Sequence, residues 1–146
     1  MTALLAFLAA TTSARAVVEI GTGSGETGLA LLRGMGAEGT LTTIDVDPEL
    51  QRAARRAFLD AGNPPGRLRL INGLALEVLP RLTDGGYDLV VVHAHDGDPA
   101  AYLAEALRLL RAGGVVVLAD PGGTVPDAEE LVSALVDGVL VATRAR

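Results

Sequence analysis

The sequence predicts a three-layer α/β fold: a doubly wound, mostly parallel β-sheet with helices on both sides. Short apolar runs rich in β-branched residues alternate with helical patterns along most of the chain, which is the order expected of a parallel sheet with crossover helices. The runs are continuously apolar, as in residues 89–92, and this is typical of strands buried on both faces. No internal repeat, linker or low-complexity segment is present, so residues 1–146 are expected to form one domain.

The elements follow in order along the chain. Five strands are expected at residues 16–20, 40–44, 68–71, 89–92 and 115–118. Asp47 and Asp98 stand directly before prolines, as N-caps of the helices that follow. Glycines at 62, 85–86 and 113–114 are expected to end the preceding helices. The expected helices are residues 2–10, 27–34, 48–61, 75–82, 100–110 and 126–131.

The end of the chain predicts an antiparallel hairpin. Residues 132–136 and 139–143 are apolar, and Asp137 and Gly138 between them suit a two-residue turn. The alternative is a longer helix through Val136 that leads to a single last strand.

The first helix, residues 2–10, is expected to be amphipathic and to cover the sheet. A signal peptide cleaved after Ala16 is the alternative, but the segment has no positive start, and cleavage there would leave the first core strand as a terminus. No apolar run is long enough to span a bilayer. We therefore expect a cytoplasmic protein with no membrane partner.

The composition limits the partners and the catalytic groups that this protein can use. A net charge of -6 argues against nucleic acid as the main partner and favours a small molecule. The absence of cysteine excludes disulfides and thiolate catalysis. All 12 basic residues are arginine, so neither a Schiff base nor a lysine general base is available.

A glycine-rich turn follows the first strand. Gly21, Gly23 and Gly25 lack a Cβ, so the backbone can turn sharply and approach a ligand closely. Asp45 ends the second strand, where a carboxylate can accept the hydroxyls of a ribose. Purely structural glycines, or a dinucleotide site, would also explain the turn. Glu19 beside the turn favours a ligand that carries an ammonium group, such as S-adenosylmethionine.

Several stretches taken together resemble the class I S-adenosylmethionine-dependent methyltransferases, in the group of small O-methyltransferases related to catechol and caffeoyl-CoA O-methyltransferases. The resemblance covers about residues 16–120 and implies a Rossmann-like fold, a small hydroxylated acceptor and a homodimer. A degenerate module that binds S-adenosylmethionine or S-adenosylhomocysteine without turnover is the alternative. An NAD-dependent oxidoreductase is disfavoured because no catalytic tyrosine-lysine pair exists. The matching stretches are Val-Val-Glu-Ile-Gly-Thr-Gly-Ser-Gly (17–25), Leu-Thr-Thr-Ile-Asp-Val-Asp-Pro-Glu (41–49), Glu-Val-Leu-Pro (77–80), Tyr-Asp-Leu-Val (87–90) and Leu-Leu-Arg-Ala-Gly-Gly-Val-Val-Val (109–117).

The resemblance also implies which residues hold the cofactor. Thr27 would hydrogen-bond its carboxylate near a helix N-terminus, and Asp45 would hold the ribose with Val46 beside it. The methionine side would be lined by Glu19, Gly21, Thr22 and Gly23, and the adenine by Gly73, Leu74 and Ala75.

The chain departs from the family after the fourth and fifth strands. The family's Asp-Ala-Asp-Lys is replaced by a stretch containing His93 and His95, and its Ala-Asp-Asn becomes Ala119-Asp120-Pro121. Only Asp120 of the three cation ligands is retained, and histidine is a poor magnesium ligand. The resemblance therefore does not carry a divalent metal over to this chain.

Three interpretations of the two histidines remain open. His93 or His95 removes the proton of an acceptor hydroxyl. Alternatively, they are polar residues at a strand tip, and one contacts the cofactor. In the third, His93, His95 and Asp120 bind iron or manganese.

The remaining expectations concern packing and length. Arg52, Arg55 and Arg56 are interpreted as a solvated helix face, and Tyr102 and Phe58 as core residues. Residues 1–13 form a shorter N-terminal segment than the family's, so the acceptor site is expected to be shallow or completed by a second copy.

Overall fold

The computed structural model of the protein describes residues 1–93, 97–122 and 131–145. Two 3-10 turns, Pro65–Arg67 and Leu79–Arg81, accompany the helices and strands. The helices are α1 (Thr2–Thr11), α2 (Glu26–Gly34), α3 (Pro48–Asp60), α4 (Ala75–Val78) and α5 (Pro99–Leu109). The strands are β1 (Ala16–Ile20), β2 (Thr40–Asp45), β3 (Leu68–Asn72), β4 (Tyr87–Val92), β5 (Leu110–Leu118), β6 (Leu131–Val136) and β7 (Val139–Arg144).

Within the described residues the strands form one sheet in the order β3-β2-β1-β4-β5-β7-β6. Strands β1 to β5 are parallel, while β7 runs antiparallel to both β5 and β6. The predicted mostly parallel sheet and the final hairpin are therefore confirmed. Because the strand order reverses beside β1, a crevice opens at the carboxyl ends of β1 and β4, which is where such sheets bind ligands.

Two apolar clusters cover the two faces of the sheet. On one face β-strand side chains pack against α1, α2 and α3 through Leu5, Leu31 and Phe58. On the other face they pack against α4 and α5 through Val78 and Leu109. This confirms the three layers. It also explains the continuous hydrophobicity of the strands, because alternate residues of each strand enter different clusters.

Several element boundaries differ from the expectation, most of all the start of β5 and the end of α4. Helix α5 ends at Leu109, and Gly113 and Gly114 lie inside β5, so they do not end the helix. Pairing with β4 extends β5 towards its start, with an irregularity in the register between Tyr87 and Leu89. Helix α4 ends at Val78 and passes into a 3-10 turn, because Pro80 has no N–H to continue the α-helical ladder.

The last part of the chain decides between the two C-terminal alternatives. The expected helix at 126–131 falls outside the described residues except for Leu131, which is the first residue of β6. The alternative of a helix through Val136 is wrong, because residues up to Val136 pair with β7.

Helix α1 forms as expected, but it is not amphipathic. Its sequence contains no charged residue, and Phe7 is 61% exposed while Leu5 and Ala9 are fully buried on the opposite side. The helix packs tightly on α2, since a Cβ added at Gly34 would lie 2.2 Å from the carbonyl oxygen of Ala6. Among the described helices, none combines the length and the hydrophobicity that a membrane span needs.

Candidate functional site

A cleft of about 350 Å³ opens at the carboxyl ends of β1, β2 and β3. Six of its lining residues were predicted as site residues: Gly21, Asp45, Val46, Gly73, Leu74 and Ala75. The others are Ile20, Ile44, Leu76, Glu77, Gly97 and Tyr102. The structure therefore brings together the glycine turn, the acid after β2 and the segment after β3.

The glycine turn is a sharp backbone bend between β1 and α2. Gly21 has a φ of 91°, a conformation that side chains disfavour, and its N–H donates to the carbonyl oxygen of Ile44 at 2.8 Å. A Cβ at Gly21 would lie 3.1 Å from the Cβ of His93. The glycine is therefore needed both for the bend and for the close packing of His93 against it.

Asp45 is held rigidly beside this turn. Its Oδ2 accepts the backbone N–H of Gly23 at 3.0 Å, and its Oδ1 accepts that of Asp47 at 3.0 Å. A carboxylate has about four lone-pair sites, so each oxygen can accept a further hydrogen bond from a ligand. Val46 and Leu74, which are 56% and 54% exposed, add apolar surface to the same cleft. The cleft thus combines a fixed carboxylate with apolar walls, as nucleoside sites do.

Glu19 lies under the glycine turn and is fully buried. Its Oε1 accepts the hydroxyl of Thr43 at 2.7 Å, and its Oε2 accepts that of Thr27 at 2.6 Å. Because Thr43 donates to Glu19, the 2.7 Å contact between the Thr22 and Thr43 hydroxyls is donated by Thr22. Gln51 Nε2 lies 3.5 Å from the Thr22 hydroxyl. The predicted cofactor residues Glu19, Thr22 and Thr27 thus belong to one hydrogen-bonded network with their side chains engaged inside the protein.

This network changes the role that Thr27 can play. Its single hydroxyl proton is committed to Glu19, so the hydroxyl is not free to donate to a ligand carboxylate in this state. The first backbone N–H groups of α2 have no partner within the helix, and they follow the glycine turn directly, so they are the donors that remain for a ligand carboxylate.

His93 follows β4 directly, and its backbone N–H donates to Ile20 at 2.8 Å. Its Nε2 is buried, lies 3.6 Å from Glu19 Oε2 and has no hydrogen-bond partner among the described residues. His95 lies outside the described residues. Asp120 is exposed just after β5. In the described part of the chain no three His, Cys, Asp or Glu side chains are grouped in a way that could hold a metal ion.

Some of these residues escaped the sequence analysis. Tyr102 is buried, as expected of a core residue, but it also lines the cleft from the first turn of α5. Thr43 and Gln51 were missed, and Thr43 is aligned with Glu19 only through the pairing of β1 with β2, which no local pattern specifies. The exposed positions of Arg52, Arg55 and Arg56 and the buried position of Phe58 agree with the expectation.

Comparison with known proteins agrees with this geometry. The family model described as a methyltransferase domain matches residues 18–121. A protein of Mycolicibacterium vanbaalenii, provisionally named an O-methyltransferase, is 56% identical over 128 residues, which cover 86% of this chain and 57% of that protein. A protein of Mycobacterium bovis with the same provisional name is 46% identical over 167 residues, covering 97% of this chain and 75% of the relative.

A solved structure is similar throughout the chain. It is the O-methyltransferase TomG of Streptomyces achromogenes, involved in tomaymycin synthesis and crystallised in complex with S-adenosylmethionine. It superposes with a TM-score of 0.83 at 26% identity, covering 99% of this chain and 79% of TomG. The chain spans little more than half the length of the first relative, 57%. From the family model, the named relatives and the shared fold, this chain belongs to the methyltransferase family, among relatives provisionally named O-methyltransferases.

Proposed function

We propose that this chain binds S-adenosylmethionine in the cleft and transfers its methyl group to a hydroxyl of a small acceptor. The observation that carries the proposal is Asp45, fixed by the N–H groups of Gly23 and Asp47 between the glycine turn and the segment after β3. The similar protein TomG was crystallised with S-adenosylmethionine, which supports the same cofactor here.

The residues present fit this cofactor. Asp45 accepts the ribose hydroxyls, and the apolar walls at Val46, Gly73, Leu74 and Ala75 take the adenine. Gly21 and Gly23 admit the methionine part close to the backbone, and the first N–H groups of α2 face its carboxylate. Glu19 contributes a buried negative charge beneath this end of the cleft, which favours a ligand that carries positive charge.

S-adenosylmethionine, when bound, supplies an electrophilic methyl group. The protein's own contribution is mainly to hold the acceptor oxygen in line with that group, since positioning alone can supply much of the acceleration. His93, at the carboxyl end of β4 beside the turn, takes the proton of the acceptor hydroxyl. The sequence offers His95 as a second candidate for this role.

A divalent cation is not part of the proposal. Magnesium prefers oxygen ligands, and of the family's three ligand positions only Asp120 offers a carboxylate; the other two hold histidine, which is a poor magnesium ligand, and proline, which has no ligand side chain. A diol held by a cation is therefore not the expected acceptor.

Binding without turnover is the second candidate. The chain spans 57% of the length of the first relative, so similarity to that protein does not by itself establish turnover here. The aligned stretch of 167 residues in the Mycobacterium bovis relative is also longer than this chain of 146 residues, so that relative has inserted residues within the matched region.

The binding half is tested by calorimetry with S-adenosylmethionine and S-adenosylhomocysteine. Asp45→Asn keeps the size of the side chain but removes the charge and one acceptor oxygen, so the Kd is expected to rise about 10- to 100-fold, as for a lost hydrogen bond to a charged group. Asp60→Asn removes the same charge from the exposed end of α3 and serves as the matched control. Equal affinity of Asp45→Asn and the unmodified protein, or no uptake by either, contradicts the proposal.

The transfer half is tested with a radiolabelled methyl group and a panel of phenols and alcohols. Product that forms with the unmodified protein and falls in His93→Ala or His95→Ala supports O-methylation. Tight uptake of the cofactor with no product from any acceptor favours the binding module.

A homodimer and a cytoplasmic location stay predictions of the same proposal. The edge strand β6 carries Val132 and Leu135 at 60% and 63% exposure, and a second copy is the occupant expected from the family resemblance. Sedimentation equilibrium measures the assembly, and cell fractionation the location.

A further inference from the structure

We propose that Glu19 is a positioning residue for His93: its buried carboxylate accepts the Nε2–H of the imidazole and thereby leaves the lone pair of Nδ1 to take the acceptor proton. The inference rests on the proposed function, because it assigns a role in proton transfer to a residue that does not itself touch the acceptor.

The two side chains are brought together by neighbouring strands. Glu19 is aligned with Val91 in the pairing of β1 with β4, and His93 lies two residues further, where its N–H continues the bonding to β1. Glu19 Oε2 and His93 Nε2 are 3.6 Å apart. The close approach of His93 to Gly21 keeps the side chain beside the glycine turn, since its Cβ lies 3.1 Å from where a Cβ at Gly21 would stand. A shift of less than an ångström brings the pair to hydrogen-bond distance, about 3 Å.

The lack of a hydrogen-bond partner at Nε2 supports a hydrogen bond between His93 and Glu19. This nitrogen is buried and has no hydrogen-bond partner among the described residues, and a buried polar atom left in that condition costs free energy. A neutral imidazole has one N–H and one bare nitrogen. With a carboxylate facing Nε2, the proton is favoured on that nitrogen. The 17% exposure of the side chain lies on atoms other than Nε2, and Nδ1 is then the nitrogen left to accept a proton.

The surroundings of Glu19 suit it to position His93. Its two threonine donors fix both oxygens, so the carboxylate cannot rotate away from His93. Two neutral hydroxyls compensate a fully buried charge only in part, and a glutamine would bind one of them without the cost of burying a charge. The charge becomes useful when the neighbouring imidazole gains a proton, because the carboxylate stabilises the resulting cation, as in other carboxylate-histidine pairs.

The O–H bond of the acceptor breaks and its proton goes to Nδ1 of His93, while the oxygen electron pair forms the bond to the methyl carbon. The bond between that carbon and sulfur breaks, and its electron pair stays on sulfur. His93 then carries one positive charge opposite Glu19, and the proton leaves to solvent after the product departs.

The first test needs no turnover. The chain has only 2 histidines, so a ¹⁵N-labelled His95→Ala protein reports His93 alone. A ring N–H that is hydrogen-bonded to a buried carboxylate exchanges slowly and gives a far-downfield proton resonance, which we expect at neutral pH on Nε2. The resonance should vanish or move upfield in Glu19→Gln. Its absence from the parent protein, or an unchanged position in Glu19→Gln, overturns the inference.

A second variant covers the outcome that Glu19→Gln does not fold. Thr43→Val removes one donor to Glu19 and should shift the same resonance. Thr42→Val alters the neighbouring buried threonine, whose hydroxyl makes no hydrogen bond to Glu19 among the described residues, and should leave the resonance in place. Equal effects of the two threonine variants contradict the inference.

The kinetic test is a double-mutant cycle on kcat. If Glu19 acts through His93, Glu19→Gln lowers kcat at least about 10-fold in the parent but has no further effect in His93→Ala, because the two residues work as one unit. Additive losses overturn the positioning role. Failure of the proposed function gives a different result from failure of this inference. The protein would then take up no cofactor and form no product, while the imidazole resonance and its response to Glu19→Gln would stay as expected.

Discussion

Gly34→Ala tests the packing of α1 on α2 more sharply than any other single change. The new Cβ would lie 2.2 Å from the carbonyl oxygen of Ala6 and 2.9 Å from the Cβ of Ala9. Ordinary contacts between such atoms are about 3.5 Å, so the helices must separate by roughly 1 Å, and the atoms along their contact lose a quarter to a half of their dispersion energy. Leu5, which is fully buried, shares this contact region.

The expected cost is about 2 kcal/mol, which is the middle of the range for overpacked sites. Alanine has a better helix propensity than glycine, but Gly34 is the last residue of α2, where this gain is small. For a chain of this size the cost corresponds to a fall in Tm of roughly 4 to 8 °C. Thermal and urea unfolding followed by circular dichroism measure it.

Gly36→Ala is the matched control, because a Cβ at Gly36 meets nothing within 4 Å. It should change the free energy of unfolding by less than about 0.5 kcal/mol. If the Gly34→Ala protein is as stable as the Gly36→Ala protein, the inference of a tight contact between α1 and α2 is contradicted.

Two further predictions concern arginine-centred contacts. Burial raises the pKa of Asp88, but hydrogen bonds from Arg111 and from two backbone N–H groups outweigh it, so that pKa lies below the usual 3.8. A lowered folded pKa contributes stability above the usual value that is lost as pH falls through the folded value. Asp88→Asn should therefore cost about 1 to 2 kcal/mol at pH 7, with the difference shrinking below pH 4 in urea titrations; a difference independent of pH refutes this. Arg67 donates to the carbonyl oxygens of Gly39 and Gly36 and to Asn63. A lysine at position 67 cannot make these several hydrogen bonds at once, so Arg67→Lys should lower the free energy of unfolding by about 1 to 2 kcal/mol. The same change at exposed Arg69 should leave it unchanged.

The regular elements near the cofactor cleft were predictable because their signals are local. β1 was expected at residues 16–20 and is found there, since a mainly apolar, β-branched run that ends at a glycine indicates a buried strand by its own composition. Asp47 caps α3 as expected, with its side chain accepting two N–H groups. The position of Asp45 followed in the same way, because an acid at the end of a strand beside a glycine turn lies at the carboxyl edge of the sheet.

The errors occurred where distant parts of the chain decide the outcome. Gly113 and Gly114 look like helix stops, yet pairing with β4 draws them into β5. Helix α1 was expected to have a polar outer face, but its residues are apolar all round and only packing on α2 decides which of them are buried.

What the sequence by itself determined is the order of strands and helices, the glycine turn and the family, because these depend on short patterns and on stretches that can be compared directly. Only the tertiary structure placed β4 beside β1, and with it His93 against Glu19. It also showed that Thr27 is committed to Glu19 rather than free for a ligand. These contacts join residues on different strands and helices, and their distances depend on strand order and side-chain packing, which no local pattern specifies.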